Sequence, residues 1–583
     1  MITRKDISDF IDLEAEATKK SWEALMKLPI EKRIRKRRAI QNVYLNKYYW
    51  TETKDNYILL KVKVGVNLSD FKEGEYLFLH KKNDTDGIEC AINTFEGDNT
   101  IIIEVYSQKM PPNLNQYYDV PLILDKACVD LRNFVYYPFL YSLPEPPDAF
   151  WSTLIINSKS LPTFENREKC EMELEDTIKN FNLKLLPKQR EAIVNSLSAK
   201  DYYLIQGPPG TGKSFVLAWI ILEEICFLEH KVIVIGPNHM AINNTLGQVL
   251  KAFPEYPNNI KVGQTYHAPL IKIEKDGKEI TIDNINRINP FHYNDFDGQW
   301  VIGLTPHSLY SSRARGLKCD TLIIDEAGQM TIPLALMGMI KAKKVILAGD
   351  HKQLPPIISS EKIKPEMKQS VFQSLIQKGN FTMLDVSFRM CEPICNYVSE
   401  LFYDGKVKAK KRGCGDLILC NDPLYDFRSP IILHQVDDFG EQVSDEEASF
   451  IADTIADYLE LGLPADEVAV LSPFRAQAAN IRRHIRNHPL ISVEQHEQIT
   501  SDTIDKMQGQ EREVIIYSLV SGDMEYMTEM AEFLYNPNKM NVAFSRAKSK
   551  LIIVGNIEQI KKISSAEYPH IMKMIKSKFV KRI

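Results

Sequence analysis

Apolar and polar positions follow three different rhythms along the chain. Residues 1–40 look helical and polar and end in the basic run EKRIRKRR, Glu31 to Arg38, whose plain reading is a solvated helix face. Over residues 41–118 the pattern changes to short β-branched runs, YILLKVKVGV, EYLFLH and NTIIIEVY, separated by Asp, Asn and Gly clusters. Such runs predict a small antiparallel β-barrel. Residues 119–180 are mixed, with a Pro-rich stretch at Leu143 to Pro147 and an acidic helical piece before Asn180. From Phe181 onward, fully apolar strands alternate with helical segments: YYLIQ, KVIVIG, WVIGLT, TLIIDEA, KKVILAGD and TMLDVSF. A second series follows with VAVLSPF, EVIIYSLV and KLIIVG. Strands that are apolar on both faces belong in parallel sheets covered by helices. The prediction is therefore an α/β chain with two parallel-sheet domains, 181–365 and 366–583, the first carrying a short insertion at 251–299. No repeat of 20–50 residues and no low-complexity segment is visible.

Length and composition narrow the picture. At 583 residues the chain exceeds one hydrophobic core. Hydrophobic residues make up 44% and charged residues 26%, ordinary values for a soluble protein. No apolar run is long enough to span a membrane, and MITRKDISDF lacks the apolar core of a secretory signal. Nine scattered cysteines suit reduced thiols and a cytoplasmic home. A net charge of −5 is no nucleic-acid signature, so any such reading must come from local features.

The strongest local feature is GPPGTGKS, comprising Gly207, Pro208, Pro209, Gly210, Thr211, Gly212, Lys213 and Ser214. It lies between the strand YYLIQ and a helix, where backbone amides can surround a phosphate. Lys213 would reach the β- and γ-phosphates and Ser214 would ligate magnesium. TLIIDEAGQ ends an apolar strand in Asp325, a second magnesium carboxylate, and Glu326, placed to polarise the attacking water. An Asp-Glu pair alone is weak evidence; in one sheet with Lys213 it defines an ATPase that uses ATP and Mg2+.

Further segments resemble the ordered motifs of superfamily 1 helicases, over roughly Leu183 to Asn556. GDHKQLPP (Gly349 to Pro356) is similar to their third motif, with Gln353 as the γ-phosphate sensor. VSFRM (Val386 to Met390) resembles the fourth, DKMQGQEREVIIYSLV (Asp505 to Val520) the fifth and MNVAFSRAKSKLIIVG (Met540 to Gly555) the sixth. The resemblance implies arginine fingers at Arg389 and Arg546, whose planar guanidinium groups would neutralise charge on the transferred phosphoryl group. A single arginine would read equally well as a surface ion pair; the ordered set argues otherwise.

Within that superfamily the chain resembles the Upf-like group. LPKQREAI (Leu186 to Ile193) and GPNHMAINN (Gly236 to Asn244) match its wording, as does a charged helix containing DLEAEA followed by a β-barrel. The resemblance implies two RecA-like P-loop domains, an N-terminal helical stalk (1–40), a 1B-like barrel (41–118), a stalk return (119–180) and 5′ to 3′ movement. It places Gln189, Phe388, Gln508, Gly509 and Glu511 around the nucleotide. Phe388 stands where the group usually has Tyr, and Cys391 where it usually has His.

For single-stranded DNA or RNA the resemblance points to Pro237, Asn238, Thr305, Pro356, Pro473, Phe474 and Thr503, residues at strand ends facing the cleft. Each also reads as a plain turn residue. The basic runs Lys32 to Arg38 and Lys408 to Arg412 could add attraction, although solvated surface is the simpler reading. Cys391, Cys395, Cys414 and Cys420 invite a metal site, but their spacing is unlike zinc knuckles. The sequence leads to a helicase or translocase acting as a monomer, with no membrane association. Its rival is a nucleic-acid-stimulated ATPase that remodels or clamps nucleoprotein without processive unwinding. No cluster of extra carboxylates suggests a nuclease.

Overall fold

The computed structural model describes residues 2–50, 57–65, 67, 69, 71, 75–82, 87–95, 99–106, 114–143, 161–252, 270–272, 300–310, 314, 316–414, 418–437, 440–507, 509–520, 522–563 and 568–583. Most of the insertion at 251–299, most of the stretch from Leu143 to Pro147, and Gln508 lie outside the described residues.

The chain opens with the helix Arg4–Met26, started by a capping box in which Thr3 and Asp6 satisfy each other's backbone amides. Ile7, Phe10 and Ile11 lie on one helical face and are buried in the core of the first α/β domain, together with Val135, Phe139 and Leu140 of the returning segment. A short helix, Ile30–Arg35, follows. Part of the basic run is not solvated: Arg33 is buried, with its guanidinium 3.0 Å from the Asp125 carboxylate, which also meets His80 at 2.8 Å. A buried carboxylate requires such partners, so the reading of this run as a solvated face fails at Arg33.

Six antiparallel strands form a closed barrel in the order Ala39–Trp50, Tyr57–Lys63, Thr100–Tyr106, Gly87–Phe95, Tyr76–Lys81, Leu122–Lys126. The closing strand lies beyond the expected limit at residue 118. Closure leaves no open sheet edge. Inward residues such as Val43, Leu60, Leu79, Ile103 and Leu124 fill the interior.

The first parallel sheet has seven strands, ordered Thr382–Met383, Tyr202–Gln206, Ala342–Gly349, Cys319–Ile324, Val232–Ile235, Val301–Leu304 and Leu270–Lys272. The second has six, ordered Thr500–Thr503, Val468–Ser472, Arg512–Ser518, Ala547–Gly555, Ile431–Gln435 and Lys581–Arg582. Central strands such as Val232–Ile235 are buried throughout, as parallel sheets covered on both faces require. Apolar clusters lie on either side of each sheet. TMLDVSF does not form one strand. Thr382–Met383 completes the first sheet, past the expected boundary at residue 365, and Val386–Ser387 pairs separately with Lys408–Ala409. Among the described residues no helix is long and apolar enough to cross a membrane.

Candidate active site

The strand Tyr202–Gln206 delivers its C-terminal end into the loop Gly207–Gly212, and the helix Lys213–Cys226 begins directly after it. Gly210 and Gly212 take φ of +71° and +80°, in the left-handed region. Gly210 is also crowded: a Cβ there would lie 2.5 Å from Cβ of Arg389 and 2.7 Å from Oγ of Ser387. Only glycine allows the second α/β domain to approach the loop this closely. Ser387 Oγ donates to the Pro209 carbonyl at 2.9 Å, and the Phe388 amide donates to the Gly210 carbonyl at 2.8 Å.

Lys213 Nζ lies 2.5 Å from Glu326 and 3.1 Å from Asp325. Burial disfavours the ammonium, yet the two carboxylates outweigh burial and hold the Lys213 pKa above its ordinary value. Burial likewise opposes the Glu326 carboxylate, and Lys213 with Arg546 holds its pKa below the usual range. Asp325 is buried and accepts from Thr245 Oγ1 at 2.7 Å and from the Glu326 amide at 2.8 Å. Glu326 turns through φ +52°, which aims its side chain back at the loop. A lysine and two carboxylates at the head of a helix, beside inward-facing amides, can bind phosphate and position a water. Ser214 follows in the first helical turn, half-buried.

Thr211 is buried, its hydroxyl donating to the Pro208 carbonyl at 2.8 Å. Gln189 is buried behind the loop, donating to the Thr211 carbonyl at 3.3 Å and accepting from the Leu186 amide at 3.1 Å. Phe388 is half exposed beside Gly210.

The two α/β domains meet over the segment Gly349–Gln353. Asp350 accepts from Gln206 at 3.3 Å, from Gln353 at 3.0 Å and from the Tyr403 hydroxyl at 2.5 Å. Asn538 and Asn541, on the helix Pro537–Phe544, donate to the carbonyls of Gln353 and Lys352 at 2.6 and 2.7 Å. Arg546, which is buried, donates to Gln353 Oε1 at 3.4 Å and to the Gln510 carbonyl at 3.3 Å. Burial and the neighbouring Arg389 pull the Arg546 pKa down to about 9, which still leaves it charged at neutral pH. Arg389 lies 2.5 Å from Glu511 and donates to the Ser545 carbonyl at 3.2 Å. Gly509, at φ +82°, faces Met240 across the cleft. The structure thus gathers Lys213, Asp325, Glu326, Gln353, Arg389, Glu511 and Arg546 around one loop. Tyr403, Thr245, Ser387, Asn538 and Asn541 were not legible as site residues, because each lies outside the recognised motifs or reads as an ordinary helix or strand position.

The strand-contact residues divide. Asn238 is exposed, Pro237 and Thr305 are half-buried, and the polar side chains of Asn238 and Thr305 cap the turns that follow. Pro356, Pro473, Phe474 and Thr503 are instead buried. Phe474 packs against Phe533 and Tyr526, at ring separations of 5.6 and 6.2 Å, under the helices Met524–Glu529 and Ala531–Leu534. Met240 and Ile357, beside Asn238 and Pro356, are exposed apolar residues there. The four thiols do not converge on a metal site. Cys391 and Cys414 meet at 2.7 Å, whereas Cys420 donates to the Asp422 carbonyl, and no metal-holding cluster of His, Cys, Asp or Glu is found among the described residues.

Two families described as AAA domains match the chain, one over residues 184–292 and 296–361, the other over 367–558. The chain is similar to the DNA polymerase alpha-associated DNA helicase A of Schizosaccharomyces pombe, at 27% identity over 82% of this chain and 79% of that one. It is similar to an uncharacterised ATP-dependent helicase of Methanocaldococcus jannaschii, at 26% identity over 68% and 70%. It also matches the regulator of nonsense transcripts 1 of Dictyostelium discoideum, at 26% identity over 66% of this chain and only 32% of that longer one. Among solved structures, a complex of arterivirus nonstructural protein 10 (helicase) with DNA has a TM-score of 0.39 at 13% identity, covering 86% of this chain and 78% of that one. The fold and site define a P-loop enzyme that hydrolyses ATP, with its nucleotide loop set against a second α/β domain. The chain belongs to the superfamily 1 helicases, in their Upf-like group, and is an ATP-dependent nucleic-acid helicase.

Proposed function

We propose that this helicase moves 5′ to 3′ along single-stranded DNA or RNA as a monomer, with ATP and Mg2+ bound between two RecA-like domains. The observation that carries the reading is the hydrogen-bonded path from the nucleotide loop to the second domain: Gln206 to Asp350, Asp350 to Gln353, Gln353 to Arg546. A change at the phosphate end of that path shifts the contact between domains, and domain closure is what steps a strand.

In this mechanism Lys213 and the loop amides bind the β- and γ-phosphates, with Thr211 shaping the loop. Ser214 and Asp325 would hold Mg2+, which supplies charge neutralisation at the phosphates. The donor set fits: a hydroxyl and a buried carboxylate beside the loop, the carboxylate already engaged by Thr245 and Lys213, which suits partly water-mediated binding. Glu326 orients and deprotonates the attacking water. Arg389 and Arg546 stabilise the charge that builds on the transferred phosphoryl group. Gln189 braces the loop from behind, Phe388 offers an exposed ring to the base, and Gly509 and Glu511 complete the nucleotide's surroundings. The helix Arg4–Met26 acts as the stalk and the barrel as the 1B-like domain.

The test is steady-state ATP turnover without nucleic acid, with single-stranded DNA and with single-stranded RNA, at fixed low salt. Strong stimulation by either polymer is expected. Intact turnover that neither polymer stimulates would sink the translocase reading.

A further inference from the structure

Two cysteines flank the fourth motif in space, although 23 residues separate them in sequence. Cys391 is fully buried and forms the N-cap of the helix Glu392–Phe402, two residues beyond Arg389. Its amide donates to the Lys548 carbonyl at 2.8 Å, which fixes the backbone. Cys414 is half-buried, at the end of the loop that begins with the strand Lys408–Ala409. That strand pairs with Val386–Ser387, so the loop returns beside the fourth motif. The two sulfur atoms stand 2.7 Å apart. A disulfide bond is about 2.04 Å long, so little backbone movement separates the thiols from bonding distance.

We propose that Cys391 and Cys414 are a redox pair that closes to an intramolecular disulfide under hydrogen peroxide and, by doing so, slows ATP turnover. The local charge favours this order of events. The shared hydrogen with Cys391 lowers the Cys414 pKa, burial and Glu513 oppose that, and Lys411 and Lys550 add to the lowering. Lys411 is held in place by Ser549 at 3.1 Å. Cys391 is pushed the other way, by its hydrogen bond with Cys414 and by burial. The half-buried Cys414 thiolate attacks a peroxide oxygen, the O–O bond breaks, and water leaves after protonation of the hydroxide. The Cys391 sulfur then attacks the sulfenic sulfur of Cys414, the S–S bond forms and a second water leaves. Two thiols are oxidised by two electrons, one peroxide is reduced, and two waters are released. The bond would tie the loop after Lys408 to the segment carrying Arg389, which contacts Glu511 and the Ser545 carbonyl. The bond would limit how far Arg389 can shift within its own domain to meet the nucleotide when the domains close; this half of the inference rests on the proposed function.

The experiment treats the full chain with hydrogen peroxide, blocks remaining thiols with iodoacetamide, and reads intact mass and proteolytic peptides. The expected result is the loss of two hydrogens, a peptide pair joined through Cys391 and Cys414, and reversal by dithiothreitol. The C414S variant should show neither the mass loss nor the joined peptides. The C391S variant should accumulate a sulfenic acid on Cys414 that dimedone traps. Full alkylation of both thiols after peroxide, or Cys414 joined to another cysteine, overturns the proposal. Turnover in the same samples is expected to fall several-fold in the wild type and to stay level in C414S. A closed disulfide with unchanged turnover overturns the regulatory half, and the mass readout stands whether or not the motor reading survives.

Discussion

The Tyr403 hydroxyl donates to the Asp350 carboxylate at 2.5 Å, joining the second α/β domain to the segment that carries Gln353. The phenol is buried and also accepts from Asn541 at 2.7 Å. Burial first, and then the adjacent Asp350, hold the Tyr403 pKa far above its ordinary value, so the hydroxyl remains a donor across the working pH range.

Tyr403→Phe removes that donor while keeping the ring. The variant should lose about 2 kcal/mol of stabilisation, typical of a buried hydrogen bond to a charged group. Stimulation of ATP turnover by single-stranded nucleic acid should drop while unstimulated turnover is largely kept. Full stimulation in the variant would remove Tyr403 from the path between domains.

Gly210→Ala places a methyl against Arg389 and Ser387 at a left-handed φ. The first domain should still fold, because the loop lies at the mouth of the site and outside the core. Turnover should fall by about two orders of magnitude, as misplacement near 1 Å does in other enzymes. A melting curve and a rate measured on the same sample separate the two effects.

Lys213→Ala should abolish ATP turnover and leave Asp325 and Glu326 without their shared cation. Glu326→Gln should still bind nucleotide, with hydrolysis slowed about 10²–10⁴-fold if Glu326 is the general base. Equilibrium binding of a fluorescent ATP analogue, paired with turnover, distinguishes the two variants. Near-normal turnover in either would discard the site assignment.

Glu223 on the helix Lys213–Cys226 supplies a pH test. Burial raises its pKa to about 6, with Thr177 opposing and Glu173 adding to the shift. The folded state therefore holds a proton that the unfolded state releases at lower pH. The contribution to stability is present below the unfolded value, near 4.5, and is lost as pH rises through about 6. The shift corresponds to about 2 kcal/mol. Glu223→Gln should thus gain thermal stability over the wild type at pH 7.5 and show little difference at pH 4.5. Equal differences at both pH values would rule out titration of Glu223 as the cause.

The parallel sheets were legible because strands such as Val232–Ile235 and Tyr202–Gln206 are continuously apolar and bounded by turn residues. Thr500–Thr503, spelled TSDT, is a strand by pairing with Val468–Ser472 and not by any apolar signal, so no periodicity reveals it. The nucleotide loop was readable from its own strand–loop–helix wording, and Asp325 with Glu326 from the apolar strand they end; that the two, 113 residues apart, meet in one sheet is what the fold adds. Tyr403 and Asp350 are 53 residues apart and meet only where a helix end of the second domain docks on the first, which no local pattern encodes. The burial of Phe474 was hidden for a related reason: its motif was readable, but the helices that cover its ring come from about fifty residues downstream.

The helix Arg4–Met26 touches both ends of the machine. Trp22 donates to the Lys126 carbonyl at the end of the barrel's closing strand, at 2.6 Å, while Glu14 accepts from the amides of Ser359 and Ser360 at 2.9 and 2.7 Å, in the segment just after Gln353. The same helix of about six turns bridges the barrel and the first α/β domain. One helix thus ties the position of the barrel's closing strand to that of the segment following Gln353, so the two cannot be placed independently of each other.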